Sequence, residues 1–216
     1  MRAIGIGAGG HARMLLEALR GRDDVEIVGL VDADPAMKGR SVLGVRVLGG
    51  DEMLAELART GVHHAFLGVG GVGDNSRRST VFESARALGF EFLSVVHPTA
   101  IVSPSAAIGE GSCVFPGALV GAGTRLGRNV IVNSGAIVEH DCTLGDHVHV
   151  ASGAVLAGGV SVEEGAHVGA GATVKQGVHI GRGAVVGLGA AVIDDVPDGV
   201  TVAGVPAKPI AARLKA

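Results

Sequence analysis

The chain lacks tryptophan and tyrosine altogether, and its five phenylalanines bring the aromatic share to only 2% of 216 residues. A core with so few rings must be filled by valine, isoleucine, leucine and alanine, which suits a narrow coil of short strands. The two cysteines, Cys113 and Cys142, form no CxxC pair. We therefore expect them to be small apolar fillers in a reduced, cytoplasmic protein.

Long apolar runs and an excess of positive charge are also missing. No window approaches the roughly 20 apolar residues that a membrane span needs, and His11 and Arg13 interrupt the apolar start of the chain too early for a signal peptide. The net charge of -3, with lysine and arginine scattered, argues against a nucleic-acid partner. We expect a soluble protein with no membrane insertion.

What the sequence has in abundance is a six-residue period. From Val102 to Pro197 the chain divides into hexads without a slip, and each hexad opens with a branched aliphatic residue. This period fits neither an amphipathic helix nor a simple alternating strand, whereas a coil of short flat strands joined by tight turns requires it. If three hexads complete one coil, residues one coil apart stack about 4.8 Å from one another. We expect residues 210–215 to form the terminal cap that such arrays need.

The first 96 residues follow a different pattern. Apolar runs at 3–6, 25–32, 65–69 and 90–96 predict strands. Helices are predicted at 13–20 and in the stretch that follows Asp74-Asn-Ser-Arg-Arg, to about Leu88. Strands and helices that alternate in this way favour a small Rossmann-like α/β domain with a parallel sheet. His97 precedes Pro98 and is therefore extended, which leads into the first strand of the coil. The sequence predicts an α/β domain at 1–96 and the coil domain at 97–216.

A glycine-rich turn follows the first predicted strand. Gly7, Gly9 and Ala12 fit the G-x-G-x-x-A fingerprint, with Asp32 on the next strand. Unpaired N–H groups at a helix N-terminus bind phosphate, and His11 could donate to a phosphate or sugar oxygen. A tight glycine turn without ligand and a surface histidine are the alternatives. Because the domain is about half the size of a dinucleotide-binding fold, a mononucleotide or nucleotide sugar fits better than NAD.

On the coil, His140 is the strongest candidate for chemistry. It is third in its hexad and should face outward, between the small residues Ala122 and Gly158 of the neighbouring coils. A carboxylate bonded to one ring nitrogen fixes the tautomer and makes the other nitrogen a better base, so Asp141 is a plausible partner. Adjacent strand residues point to opposite faces, so this contact requires a corner or a bulge. A solvated histidine is the alternative.

Three more histidines lie close together in the predicted coil. His149 should stack over His167, with His147 on the same side. Three imidazoles plus water could hold zinc. Since no carboxylate or cysteine joins them in a recognisable spacing, we expect an exposed polar row and no metal. Cys142 adjoins His140, but its position favours packing over a covalent acyl-enzyme.

Five segments together resemble one family. They are Gly7-Ala-Gly-Gly-His-Ala, Gly73-Asp-Asn-Ser-Arg-Arg, His97-Pro-Thr-Ala, Asn133-Ser-Gly-Ala-Ile-Val-Glu-His-Asp-Cys and Gly204-Val-Pro-Ala-Lys. Over nearly its whole length the chain resembles the sugar-nucleotide acetyltransferases of the hexapeptide-repeat superfamily. The pattern is most similar to the enzymes that N-acetylate 4-amino-4,6-dideoxy sugars of the bacillosamine and perosamine type, and to the related sialic acid O-acetyltransferases.

The resemblance implies a left-handed parallel β-helix, a homotrimer with active sites between subunits, and acetyl-CoA as the donor. By the same analogy His140 is the general base of a direct transfer, Asp141 supports it, and Asn133 and Glu139 are polar residues around it. The residues that match the acetyl-CoA site are His149, Ala170 and Leu188. Those that match the nucleotide-sugar pocket are Gly9, Gly10, His11, Asp32, Ala33, Gly73 and Ser76.

Several other functions stay open at this point. One is O-acetylation of a sialic acid-type sugar. A second is a zinc protein of the γ-carbonic anhydrase kind, built on the three histidines, and a third is a non-catalytic nucleotide-binding trimer. A nicotinamide-dependent oxidoreductase is disfavoured because the chain has no further catalytic domain and no tyrosine as a proton donor. The nucleotide (UDP, GDP or dTDP), the sugar and the glycan served are not determined by the sequence.

Overall fold

The computed structural model of the chain describes residues 1–210. They form two compact units: Met1–Gly70 with Thr80–Val95, and Gly71–Ser79 with the residues from Val96 onward. The sequence suggested one boundary near His97, and the structure adds the segment Gly71–Ser79 to the coil. Most of the expected terminal cap, from residue 211 on, lies outside the described residues.

The first unit is built on a mainly parallel six-stranded sheet. In sheet order its strands are Ser41–Val42, Val45–Gly49, Glu26–Val31, Arg2–Ile6, His64–Leu67 and Glu91–Phe92. The helices are Gly10–Leu19, Leu54–Arg59 and Ser76–Ala87, of which the last belongs to this unit from Thr80 onward. Short 3-10 turns lie at Pro35–Met37 and Asp51–Met53. The central strand is apolar throughout after Arg2 because parallel strands are covered on both faces.

Most elements of this unit match their predicted positions, with three differences. The antiparallel pair Ser41–Val42 and Val45–Gly49 and the helix Leu54–Arg59 were not predicted, because each is short and lacks a clear apolar period. The predicted strand at 90–96 is divided into Glu91–Phe92 and Val95–Val96. Only the second of these belongs to the coil.

The second unit is a left-handed parallel β-helix with three sheets. The first sheet contains Val95–Val96, Cys113–Val114, Ile131–Val132, His149–Val150, His167–Val168, Val185–Val186, Thr201–Ala203 and Lys208–Ile210. The second contains Ile101–Val102, Leu119–Val120, Ile137–Val138, Val155–Leu156, Thr173–Val174 and Ala191–Val192. The third contains Ala107–Ile108, Arg125–Leu126, Thr143–Leu144, Ser161–Val162 and His179–Ile180.

The predicted register of 18 residues per coil is confirmed. Ile131 pairs with His149, which in turn pairs with His167. The residues that open the hexads point inward, as Val132 and Val150 show with no exposed surface. Branched aliphatic side chains pack well on such a narrow pleated surface, so the coil core needs almost no aromatic residues.

Tight turns join the sheets at three corners. The first corner, from first to second sheet, contains Ala170 and Leu188, and the second, from second to third sheet, contains His140. The third corner returns the chain to the first sheet. From residue 111 to residue 189, the second residue of every turn has a positive φ and is glycine except at Asn129, Asp141 and His147. A non-glycine residue there is strained, so these three positions indicate special roles.

The first sheet ends in an antiparallel strand. Thr201–Ala203 continues the parallel stack and then pairs with Lys208–Ile210, so that Val202 lies opposite Pro209. Within residues 1–210, no helix has the length and apolar character that would let it cross a membrane.

Candidate active site

The glycine-rich turn lies at the carboxyl end of the central strand of the first unit. Gly7 has φ of +97° and the helix begins at Gly10, with Gly9 as its N-cap. A side chain on Gly7 would meet the backbone of Gly68 at 2.9 Å, whereas Gly9 and Gly10 face open space. The turn therefore needs glycine at Gly7 for its own geometry, and its outer surface is accessible to a ligand.

Asp32 shapes this turn. Its carboxylate accepts hydrogen bonds from the N–H of Ala8 at 2.7 Å and from the N–H of Asp34 at 2.9 Å. Asp32 and Ala33 thus lie beside the turn that carries Gly9, Gly10 and His11. The structure brings these five predicted nucleotide-sugar residues to one edge of the sheet.

His140 and Asp141 form a pair on the second corner of the coil. The Nδ1 of His140 lies 2.9 Å from the Oδ2 of Asp141, and because a carboxylate can only accept, Nδ1 carries the proton. Asp141 has φ of +58°, which is the corner geometry that two adjacent residues need to face the same side. In the neutral imidazole this contact leaves the lone pair on Nε2, which is the atom that a general base uses.

Neighbouring coils leave room for this pair. A Cβ atom on Gly158 would lie 2.5 Å from His140 Nε2. The imidazole therefore packs on the backbone of Gly158, where a side chain would collide with it. A Cβ atom on Gly123 would lie 2.7 Å from Asp141 Oδ1. The predicted recess is therefore present at Gly158, and the His140 side chain remains 56% exposed within it.

The residues on either side of the pair, Glu139 and Cys142, are less exposed than His140 and Asp141. Cys142 is buried, and its thiol donates to the carbonyl of Ala157 at 3.3 Å. Burial raises the pKa of Cys142, so its thiol is a poor nucleophile. Glu139 is half-buried, and its carbonyl accepts from the hydroxyl of Thr124 at 2.7 Å.

The three predicted acetyl-CoA residues line one cavity of about 390 Å³ on the first sheet and first corner. His149, Ala170 and Leu188 lie there with Asn133, and Gly71 contributes to the same wall. Leu188 is 81% exposed, a large apolar side chain that gains from being covered. The cavity has the volume of a small-molecule site.

Hydrogen bonds fix the tautomer of His149. Its Nδ1 lies 2.9 Å from the carbonyl oxygen of Gly71 and therefore donates. Asn133 accepts the N–H of Ser134 at its Oδ1, so its Nδ2 donates to His149 Nε2 at 3.3 Å. The Nε2 of His149 is consequently the acceptor of the hydrogen bond from Asn133.

The expectation of an exposed histidine row is wrong. His147, His149 and His167 are each no more than 6% exposed. His149 and His167 meet edge to face at 4.9 Å, whereas His147 lies on the third corner with its Nδ1 2.9 Å from Asn129 Nδ2. Burial lowers the pKa of His167 to about 4. No group of three potential metal ligands occurs within the part of the chain that the structure describes.

Gly73 and Ser76 line a second cavity of about 570 Å³, together with residues of the third corner. The same segment carries Asn75 and Arg78, two buried polar residues that the sequence reasoning missed. The signal that could have revealed Arg78 is the column of turn glycines. That column is interrupted at Asn129 and His147, the residues that receive the Arg78 side chain.

One chain does not bring all candidate residues together. His140 is on the second corner, whereas the cavity with Ala170 and Leu188 is on the first sheet and first corner. None of the residues that line this cavity is His140 or Asp141. The candidate base and the candidate acetyl-CoA residues therefore occupy different edges of the coil.

Comparison with protein families matches both units of the chain. Residues 3–85 match the PglD N-terminal domain. Residues 123–158 match the bacterial transferase hexapeptide with six repeats, and residues 159–193 match the hexapeptide repeat of succinyl-transferase.

Two solved structures are similar over nearly the whole chain. One is a histidine-to-alanine variant of GDP-perosamine N-acetyltransferase from Caulobacter crescentus, in complex with CoA and GDP-perosamine. It is 42% identical in sequence, its TM-score is 0.91, and the match covers 98% of this chain and 97% of that chain. The acetyltransferase domain of PglB from Neisseria gonorrhoeae, in complex with acetyl coenzyme A, is 40% identical with a TM-score of 0.87, covering 97% and 98%.

A curated relative matches a shorter region. UDP-N-acetylbacillosamine N-acetyltransferase of Bacillus subtilis is 39% identical over 111 residues, which are 50% of this chain. The match spans 49% of that enzyme, about half its length.

Proposed function

We propose that this chain, which belongs to the hexapeptide-repeat sugar N-acetyltransferases, transfers an acetyl group from acetyl-CoA to the 4-amino group of a nucleotide-linked 4-amino-4,6-dideoxy sugar. The observation that carries the proposal is the hydrogen-bonded pair of His140 and Asp141, which directs the Nε2 of the neutral imidazole into an open recess. The relatives crystallised with CoA, acetyl-CoA or GDP-perosamine support the choice of both substrates.

The reaction is a direct transfer in a ternary complex. The sugar amine attacks the thioester carbonyl, a C–N bond forms, and Nε2 of His140 takes a proton from the amine. A backbone N–H of the glycine-rich coil stabilises the tetrahedral oxyanion. As the C–S bond breaks, the proton passes from His140 to the departing CoA thiolate. The buried, weakly acidic thiol of Cys142 supports a route without an acyl-enzyme.

Acetyl-CoA is proposed to bind in the cavity of His149, Ala170 and Leu188, and the nucleotide sugar along the glycine-rich turn of the first unit. Asn133 and His149 present polar groups at the cavity wall. Gly9, Gly10, His11, Asp32 and Ala33 share one edge of the sheet, where helix N–H groups favour phosphate. Gly73 and Ser76 are proposed to contribute to nucleotide-sugar binding, as their match to the family's pocket implies.

A homotrimer would complete this site. Because His140 and the acetyl-CoA cavity occupy different edges of one coil, a base and a thioester can meet only if a second copy supplies one of them. A threefold arrangement of a three-sided coil places one edge of each copy beside another edge of its neighbour. Two free cysteines, Cys113 and Cys142, support the further proposal of a cytoplasmic location.

The test is a thiol-release assay with acetyl-CoA and a panel of UDP-, GDP- and dTDP-linked 4-amino sugars. CMP-sialic acid and free sialic acid serve as acceptors for O-acetylation. His140→Ala should lower turnover by roughly 10²- to 10⁴-fold while nucleotide-sugar binding survives. The Caulobacter relative with a histidine replaced by alanine still holds CoA and GDP-perosamine, which is the behaviour we expect. A nearly fully active His140→Ala enzyme would defeat the assignment.

A further inference from the structure

The segment Gly71–Ser79, here called the strap, contains a buried cation. Arg78 is only 1% exposed. Its guanidinium donates to the carbonyl oxygens of Asn129 and His147, to Asn129 Oδ1 at 2.9 Å and to the carbonyl of Val148 at 3.4 Å. Within residues 1–210, each of these hydrogen-bond acceptors of the guanidinium is a neutral oxygen. Burial lowers the pKa of Arg78 to about 10, so the side chain is still charged at neutral pH.

The coil provides a receptor built for this side chain. Asn129 and His147 stand one above the other at left-handed positions where the coil otherwise has glycine. Asn129 Oδ1 accepts from Arg78, and Asn129 Nδ2 lies 2.9 Å from His147 Nδ1. The two strained residues are thus explained by one contact. A coil that merely needed to turn would have glycine at both positions.

Asn75 extends the attachment to the next coil. Its Nδ2 donates to the carbonyl oxygens of Gly165 at 3.1 Å and Ala166 at 3.2 Å. Asn129, His147 and Gly165 are successive residues of the third corner, so the strap is attached to three consecutive coils. Such spacing fixes both the position and the tilt of the strap along the coil axis.

The opposite end of the strap reaches the acetyl-CoA cavity. Gly71 lines that cavity and its carbonyl oxygen accepts from His149 Nδ1. We propose that Arg78, together with Asn75, is a positioning residue of the acetyl-CoA site: it pins the strap so that Gly71 holds His149 as its Nδ1-protonated tautomer. The inference rests on the proposed function, since it takes this cavity to bind acetyl-CoA.

The experiment compares full-length variants that differ at neighbouring arginines. Arg78→Met removes the donors, Arg78→Lys keeps the charge but not the planar set of donors, and Arg77→Met is the control because Arg77 is exposed on the same helical turn. Acetyl-CoA affinity is measured by calorimetry without a sugar acceptor. The His149 tautomer is read from ¹⁵N chemical shifts of histidine-labelled protein.

We expect Arg78→Met to bind acetyl-CoA roughly tenfold or more weakly, since a displaced wall misplaces His149. Its His149 should show a mixture of tautomers, which a purely structural contribution of Arg78 to the coil would not produce. Arg78→Lys should lie between this variant and the wild type, and Arg77→Met should match the wild type. A folded Arg78→Met protein with wild-type affinity and the Nδ1-protonated tautomer would overturn the inference.

A second variant decides the matter if Arg78→Met does not fold. A Cβ atom on Gly71 would lie 2.5 Å from Asn75 Oδ1, so Gly71→Ala pushes the Asn75 side chain away from its partners Gly165 and Ala166 and leaves Arg78 unchanged. Unchanged acetyl-CoA affinity in Gly71→Ala would contradict the inference. A wild-type protein that does not bind acetyl-CoA would instead refute the proposed function, and the tautomer of its His149 would still test the strap.

Discussion

Gly158 is the position where the smallest change should have the largest effect on turnover. It is buried, its φ lies outside the left-handed region, and a Cβ atom there would lie 2.5 Å from His140 Nε2. Ordinary contact begins at 3.4 Å, so Gly158→Ala must move the imidazole by about 0.9 Å. Because the His140 side chain is 56% exposed, the ring can swing towards solvent and leave the recess.

This displacement separates activity from stability. A shift of about 1 Å in a catalytic group costs roughly 10²-fold in rate, which corresponds to about 2.7 kcal/mol. Gly158→Ala also restricts the unfolded chain, which favours the folded state by about 0.4–1 kcal/mol. We therefore expect a protein that melts at the same or a slightly higher temperature, binds acetyl-CoA normally and turns over about 10²-fold more slowly.

The assay is initial-rate thiol release under saturating acetyl-CoA and acceptor, with thermal melting of the same preparations. Adding Gly158→Ala to His140→Ala provides the control, since a change that acts only through the imidazole has nothing left to displace. The double variant should be as slow as His140→Ala alone. A near-normal rate for Gly158→Ala, or a further slowing of equal size in the double variant, would show that the recess does not position His140.

Three further predictions follow from the same corner and the neighbouring sheet. Asp141→Gly should relieve the left-handed strain and stabilise the protein by about 1 kcal/mol. It should also lower turnover roughly tenfold or more, because His140 loses its carboxylate partner. A lower melting temperature together with the lower rate would contradict this prediction. The pKa of His167 is about 4 in the folded protein, against about 6.5 in the unfolded chain. Because the unfolded chain binds the proton more tightly, the free energy of unfolding should fall by about 3 kcal/mol as the pH drops from 6.5 to 4. Urea unfolding of His167→Gln should lack this loss. Cys142→Ala should keep turnover within about threefold, and iodoacetamide should leave Cys142 unmodified in the native protein.

The coil could be predicted from the sequence because each hexad repeats the same short strand and the same tight turn. A branched residue faces inward and a glycine turns the corner, and a register of 18 residues then places Gly158 above His140 without any knowledge of other contacts. The contact between His140 and Asp141 needed only one further feature, a positive φ at Asp141. The position of the candidate base could therefore be predicted from local patterns in the sequence.

The burial of the histidines could not be predicted in this way. His149 is covered because Gly71, far away in sequence, supplies a carbonyl to its ring. The burial of Arg78 also depends on residues far away in sequence. An arginine in a polar helix is expected to be exposed unless the distant groups that bind it are known. The six-residue repeat and the composition predict contacts between neighbouring coils. The contacts of the strap lie outside the repeat, so the repeat does not predict them.

The antiparallel end of the first sheet also affects how copies of this protein behave at high concentration. A parallel β-helix presents open hydrogen-bonding edges at its ends, on which a coil of another copy could stack and begin a fibre. Within residues 1–210, the outermost strand of the first sheet is Lys208–Ile210, and it runs against the direction of the stack. Its central residue, Pro209, has no N–H to offer a neighbour. The strand thus makes this edge of the first sheet unsuited to parallel stacking of another copy, a property independent of catalysis.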